Sequence, residues 1–119
     1  MKVQRISAEG LHKIINGDTI GPTLCVVKIY SSGCHYCHNL QEYYEELAEN
    51  YEDVYFYAFN SADDANIEKK LGFKGVPTII LVKTAPPKAK VHILGEPEMP
   101  NPSTWYKLND IKRFIEKGR

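Results

Sequence analysis

Apolar residues in the first half of the chain follow two patterns. The runs at 24–30 and 54–59 are almost wholly apolar, which is typical of strands buried in a sheet. Between them, apolar residues at spacings of three and four predict a helix over 34–50 with one apolar face. A short strand at 3–6 and a helix ending at Asn16 precede the first run. This alternation of strand and helix predicts an α/β fold with parallel strands.

The second half of the chain predicts a hairpin and a final helix. A strand at 78–83 is interrupted at Pro86–Pro87, and the run at 91–94 returns beside it as an antiparallel partner. Three prolines exclude regular structure over 95–103, so these residues are predicted to form a loop. Apolar spacing then predicts a last helix over about 104–117. Its buried residues would be Trp105, Leu108, Ile111 and Ile115.

Two cysteines stand where the first buried strand turns into the long helix. Cys34 is at the turn, and Cys37 lies one helical turn later. The first turn of a helix has unpaired N–H groups and the positive end of the macrodipole, and both favour a thiolate. A cysteine with a pKa of about 8.5 is only about 3% ionised at pH 7, so such a shift increases reactivity. Cys34 is therefore the predicted nucleophile, and Cys37 is placed to resolve a mixed disulfide.

Composition and charge exclude several kinds of partner. We predict a single domain over residues 1–119. Its 15 basic and 15 acidic residues cancel, so no overall field attracts nucleic acid or an anionic membrane. The N-terminal residues lack the apolar core of a signal peptide, and no apolar run is long enough to span a bilayer. These features predict a cytoplasmic protein, expected to be a monomer, whose cysteine pair is catalytic or metal-binding.

A second motif, Gly75-Val76-Pro77-Thr78, places a proline 40 residues after Cys37. With the cysteine pair at a strand-to-helix turn and this order of elements, the chain resembles the thioredoxin superfamily over nearly its whole length. The resemblance implies an α/β thioredoxin fold, with a central mixed β-sheet of about five strands flanked by about four helices. It also implies that Pro77 is cis and faces the cysteines, and that the Val76 backbone pairs with an extended substrate segment.

The same resemblance assigns further residues and an activity. Gly33, just before the first cysteine, and Gly95, the single glycine before the last helix, complete the implied substrate-binding surface. The implied function is a thiol–disulfide oxidoreductase that reduces disulfides in protein substrates, with Cys34 attacking and Cys37 resolving. Electrons would come from an upstream reductase, and neither a cofactor nor a metal is implied.

The residues around the cysteines depart from the family. Six residues before the first cysteine, where the family has a buried acid, this chain has Lys28, and Ala58 replaces the lysine that partners the acid. His35 and Tyr36 replace the usual Gly-Pro between the cysteines, and Gly33 replaces a tryptophan. A buried lysine with a lowered pKa can accept a proton, and a cationic histidine would stabilise the thiolate. We therefore predict that Lys28, His35 and Tyr36 tune the redox reaction.

Other interpretations of the same residues stay open. A tyrosine at the position of Tyr36 is frequent in glutaredoxins, although the double glycine of that family is missing here. Isomerase-type thiol exchange is a related alternative. Residues 34–38 also match a haem-attachment sequence, and Cys34, Cys37 and a nearby histidine would supply three zinc ligands. A further alternative is a thioredoxin-fold binding subunit that docks a partner with little catalysis.

Overall fold

The computed structural model describes residues 3–119, in which it contains five strands and four α-helices. A short 3₁₀ turn, Ser61–Asp63, lies between the third strand and the third helix. In chain order the elements are β1 (Val3–Arg5), α1 (Ala8–Ile15), β2 (Thr23–Tyr30), α2 (His35–Glu49), β3 (Tyr55–Asn60), α3 (Ile67–Leu71), β4 (Thr78–Ala85), β5 (Lys88–Ile93) and α4 (Leu108–Gly118).

The strands form one mixed sheet in the order β1-β3-β2-β4-β5. The first three of these run parallel, while β4 is antiparallel to β2 and β5 is antiparallel to β4. At the end of the central strand β2, Ile29 pairs with Thr78, the first residue of β4. Pro77 therefore lies at the sheet end where the chain leaves β2 and turns toward Cys34.

Helices cover both faces of the sheet. Side chains of α2 and α4, such as Leu40 and Ile111, share one buried cluster with Val26 of β2. On the opposite face, Leu11 of α1 shares a second cluster with Val27. Because successive side chains of a strand point to opposite faces, Lys28 lies on the same face as Val26, beneath α2.

The last helix begins later than the sequence predicts. Helix α4 starts at Leu108 rather than near Thr104. At this start, the N–H of the N-cap residue Lys107 donates to Asp110 Oδ2 over 3.0 Å. Trp105 is half-buried in the preceding loop and has a φ of 70°, which is incompatible with an α-helix. The prediction that Trp105 is buried by the last helix is therefore wrong, and the irregular segment extends beyond the predicted 95–103.

Within residues 3–119, no helix is both long and apolar enough to cross a bilayer.

Two glycines end helices in the left-handed region, and they differ in the space around them. Gly17 follows α1 with a φ of 75°, and a Cβ there would lie 2.4 Å from the backbone carbonyl carbon of Lys88. Gly72 ends α3 with a φ of 81°, and a Cβ there would meet nothing within 4 Å. We expect Gly72→Ala to cost about 1–2 kcal/mol, the penalty of a left-handed L-residue. Gly17→Ala should cost about 1–3 kcal/mol more, because of the overlap with β5.

Urea unfolding of both variants at pH 7 measures this difference. Equal losses of stability would mean that α1 moves away from Lys88 at no cost, which contradicts the close packing of α1 on β5.

Candidate active site

The cysteine pair lies at the start of α2 and forms a disulfide. Cys34 is the N-cap residue of the helix, and the Cα atoms of Cys34 and Cys37 are 5.2 Å apart. The Cys37 N–H donates to Cys34 Sγ over 3.1 Å, so the sulfur occupies the capping position that a hydroxyl or carboxylate usually takes. In the reduced protein this bond favours a thiolate on Cys34, because a negative sulfur accepts hydrogen bonds more strongly.

The two sulfurs differ in their access to solvent. Cys34 is partly exposed, whereas only 3% of Cys37 is exposed. The first turn of α2 contains no acidic residue that would oppose a negative charge on Cys34. The geometry therefore leaves Cys34 as the solvent-accessible sulfur of the pair and Cys37 as the buried one.

The side chains around this turn differ in their exposure and in their contacts. His35 is exposed, and its Nε2 lies 3.4 Å from the Asn39 amide nitrogen. Tyr36 is half-buried against Trp105, with 5.6 Å between ring centroids. His38, which the sequence does not distinguish from an ordinary surface histidine, donates from Nε2 to the Ser32 carbonyl over 3.0 Å and so closes the turn.

Lys28 is buried behind the cysteines. Only 5% of the residue is exposed, and it lines a cavity of about 230 Å³ together with Cys37, Tyr44 and Glu45. Its Nζ lies 5.2 Å from the centroid of the Tyr44 ring and 5.8 Å from that of Tyr30, within the range of cation–π attraction. Lys28 and Cys37 therefore share one cavity.

Burial changes the protonation of Lys28. Desolvation lowers its pKa from 10.5 to about 8, and the negative charge of Glu45 opposes the shift. Cys37, Gln41 and Glu45 line the cavity from α2 at intervals of four residues, which places them on one helix face. Glu45 was not singled out from the sequence, but its spacing from Cys37 is a usable signal.

The residues of the implied substrate surface are distributed around the same end of the sheet. The Val76–Pro77 peptide bond is cis, and Val76 is half-buried. Pro77 and Gly95 line one groove of about 330 Å³. Gly33 is exposed, and a Cβ there would meet nothing within 4 Å, so this position leaves open space before Cys34.

Two residues at the site were missed by the sequence analysis. Trp105 was assigned to a helix, yet its ring packs on Tyr36 between the cysteines. The Asn39 side chain donates to the Ser103 carbonyl over 2.9 Å and so connects α2 to the proline-rich loop. Neither contact has a local sequence signal, because both join residues more than 60 positions apart.

The part of the chain that the structure describes contains no group of three His, Cys, Asp or Glu side chains placed to hold a metal ion.

Comparison with known proteins identifies the family. The family model for thioredoxin matches residues 4–98. The chain belongs to the thioredoxin family. The predicted resemblance to the thioredoxin superfamily is therefore confirmed. The chloroplastic F-type thioredoxin of Pisum sativum is 30% identical over 83 residues, 69% of this chain. That alignment spans 44% of the pea protein, less than half of its length.

Solved structures confirm the predicted thioredoxin fold. Spinach chloroplast thioredoxin f, in its short form, superposes with a TM-score of 0.72 at 24% identity, covering 99% of this chain and 94% of that one. A thioredoxin f2 in complex with ferredoxin:thioredoxin reductase gives the same TM-score and identity, with coverages of 99% and 96%. Trichomonas vaginalis thioredoxin gives 0.67 at 22% identity, with coverages of 98% and 96%.

The unequal exposure of the thiols predicts their order of reaction with an alkylating agent. In the reduced protein at pH 7, we expect iodoacetamide to modify Cys34 at least about tenfold faster than Cys37 or Cys25, since reactivity follows exposure and thiolate character. Cys25 is 2% exposed, and burial raises the pKa of its thiol. Mass spectrometry of peptides taken over time measures the three rates.

Cys34→Ser should leave only slow labelling, and Cys25→Ser should leave the fast phase unchanged. A fast phase that survives in Cys34→Ser would contradict the assignment of Cys34 as the accessible thiol.

Proposed function

We propose that this protein reduces disulfides in protein substrates, with Cys34 as the attacking thiolate and Cys37 as the resolving thiol. The observation that carries the proposal is the pair of unequal sulfurs: the partly exposed Cys34 Sγ accepts the Cys37 N–H at the N-terminus of α2, while Cys37 is buried. Such a pair separates attack on a bulky substrate from internal resolution.

The reaction proceeds in two exchanges. The Cys34 thiolate attacks one sulfur of the substrate disulfide, forms a mixed disulfide and releases the other substrate sulfur as a thiolate, which takes up a proton. Cys37 then loses its proton and attacks Cys34 Sγ, which releases the second substrate sulfur and forms the Cys34–Cys37 disulfide. Two electrons pass from the protein to the substrate, and an upstream reductase must return them.

Relatives support the need for an electron donor. The thioredoxin f2 structure was solved in complex with ferredoxin:thioredoxin reductase, and we propose that a reductase also serves this chain. The pair functions as a reductant only where a donor keeps it as a dithiol, so we propose a reducing compartment. The cytoplasmic location stays a prediction, because the pea relative is named as chloroplastic. The monomeric state also stays a prediction.

Substrate binding and redox tuning are proposed for residues around the pair. A substrate strand would pair with the backbone of Val76 beside Pro77, with Gly33 and Gly95 leaving room for it. A cationic His35 in the first turn of α2 would stabilise the thiolate of Cys34, and this favours the reduced form. Such a charge would make the protein less reducing than it would be with an uncharged residue at position 35.

Lys28 is the proposed proton acceptor for Cys37. Both residues line the same cavity, which is large enough for a bridging water. The lowered pKa of Lys28, about 8, gives a larger neutral fraction near pH 7 than an ordinary lysine has. The neutral amine can take the Cys37 proton, and the resulting ammonium then stabilises the Cys37 thiolate as it attacks.

Substitution of the cysteines tests the proposed function. Cys34→Ser should reduce insulin no faster than the uncatalysed rate in a dithiothreitol-coupled turbidity assay. Cys37→Ser should keep the first exchange and accumulate a mixed disulfide with the substrate, because no thiol remains to resolve it. Trapping with an alkylating agent and mass spectrometry detect that species.

Cys25→Ser is the matched control, and it should keep full activity because Cys25 is buried away from the pair. A binding subunit would instead keep its partner in both active-site variants and show little insulin reduction in the wild type. The potential against a glutathione redox buffer distinguishes a reductase from an isomerase.

Replacement of Lys28 tests its burial through the pH dependence of stability. The folded pKa of about 8 lies below the ordinary value of 10.5, so unfolding takes up a proton between these values and stability rises with pH across them. The cost of burying Lys28 is therefore full below about pH 8 and disappears near pH 10.5. We expect Lys28→Met to stabilise the oxidised protein at pH 7 by up to about 3 kcal/mol, and to give no gain near pH 10.5.

Urea unfolding at both pH values, compared with the wild type, measures this difference. Lys83→Met, at an exposed position on β4, is the control and should show no such pH dependence. The proposed proton transfer has a separate readout: Lys28→Met and Lys28→Arg should both prolong the mixed disulfide in stopped-flow assays. If Lys28→Arg resolves at the wild-type rate, charge alone suffices and proton acceptance is wrong.

A further inference from the structure

The segment 95–107, called the proline loop below, has a defined conformation around Asn101. The Asn101 N–H donates to the Trp105 carbonyl over 3.0 Å, and the Trp105 N–H donates back to Asn101 over 2.9 Å. The Asn101 side chain accepts from the N–H groups of Ser103 and Thr104. This turn holds Trp105 in the left-handed region, at a φ of 70°, which is rare for a bulky residue and marks a position that its surroundings determine.

The proline loop is attached to the helix that carries the cysteines. Asn39 of α2 donates to the Ser103 carbonyl, and the Trp105 ring packs on Tyr36. Tyr106 is 2% exposed, and its hydroxyl donates to the Leu94 carbonyl over 3.1 Å, which anchors the other side of the loop beside β5. Trp105 therefore stands as a wall beside the active-site turn.

Trp105 also lines a groove beside Pro77, which lies at the same end of the sheet as the cysteine turn. The groove has a volume of about 330 Å³, near the lower end of the range for ligand pockets. Its apolar lining consists of Phe73, Pro77, Ile93, Leu94, Trp105 and Tyr106. Lys74 and Glu96 are its charged residues, so their charges cancel and the groove has no preference for one sign.

We propose that this groove binds a large apolar side chain of the substrate protein, within a few residues of the disulfide that Cys34 attacks, and that Trp105 sets this preference. The inference rests on the proposed function, since the substrate must approach Cys34. An extended segment advances about 3.3 Å per residue and turns alternate side chains to one face. A segment bound beside Pro77 would therefore direct side chains into the groove while its cysteine lies at Cys34.

Disulfide-linked peptides that differ at one position test the preference. Phe, Ala or Glu is placed at each of the four residues on either side of the cysteine, and kcat/KM is measured for each peptide. At the position that reaches the groove, we expect the wild type to prefer Phe over Ala by about tenfold, the usual discrimination of an apolar pocket. Trp105→Ala should reduce this ratio below about threefold, whereas Trp105→Phe should keep most of it.

Two controls separate loss of the groove from loss of the active site. Trp105→Ala should lower kcat/KM for the Phe peptide by a larger factor than for the Ala peptide, because only the Phe side chain fills the groove. Tyr55→Ala removes an aromatic ring that is 57% exposed on β3, and it should change none of these values. A wild type without any apolar preference, or a Trp105→Ala protein that keeps it, would overturn the proposal.

A second measurement leaves Trp105 intact. Trp105 is the single tryptophan of the chain, so its fluorescence reports on the groove directly. In Cys37→Ser, the mixed disulfide with the Phe peptide should shift the tryptophan emission to shorter wavelength relative to the Ala peptide. An identical spectrum for both peptides contradicts groove binding, whereas failure to form any mixed disulfide contradicts the proposed function instead.

Discussion

The N-terminal turn of α2 is the constraint on which the site depends. The first turn of a helix has N–H groups without partners inside the helix. Here the sulfur of Cys34 accepts a hydrogen bond from one of them, the N–H of Cys37. The same bond that completes the helix thus stabilises a negative sulfur, so folding and reactivity depend on one contact. Packing of Leu40 and Tyr44 against the sheet fixes the helix axis and keeps the turn in place.

Lys28 shows how far the fold determines the surroundings of the pair. Strand alternation directs the side chain at position 28 beneath α2, whatever its chemistry. A charge there loses its hydration, and this lowers the pKa of Lys28. The rings of Tyr30 and Tyr44 and the carboxylate of Glu45 are the groups that compensate for part of this loss. The protein would be more stable with an apolar side chain at position 28. The lysine beside Cys37 is therefore easier to explain by the proposed proton transfer than by stability.

The sequence predicted those parts of the structure that local patterns determine. Strand β2, helix α2 and the position of Cys34 between them follow from apolar periodicity and from the turn residues. The start of α4 did not, because the spacing of Trp105, Leu108 and Ile111 suits a helix even where Asn101 holds Trp105 in a turn. The contacts of Asn39 and Trp105 connect distant segments, and no pattern in a single sequence records them.

The proposed chemistry and the proposed recognition depend on different parts of this molecule. The thiols depend on α2 and β2, whose side chains belong to the core, and a change there alters both stability and reactivity. The proline loop begins after β5 and touches the site from outside, through Tyr36 and Asn39. Gly33 leaves open space where the family has a tryptophan, and the indole of Trp105 packs on Tyr36 from the loop instead. The proline loop can change in length and composition without disturbing the thiols, because surface segments tolerate substitutions that the core does not.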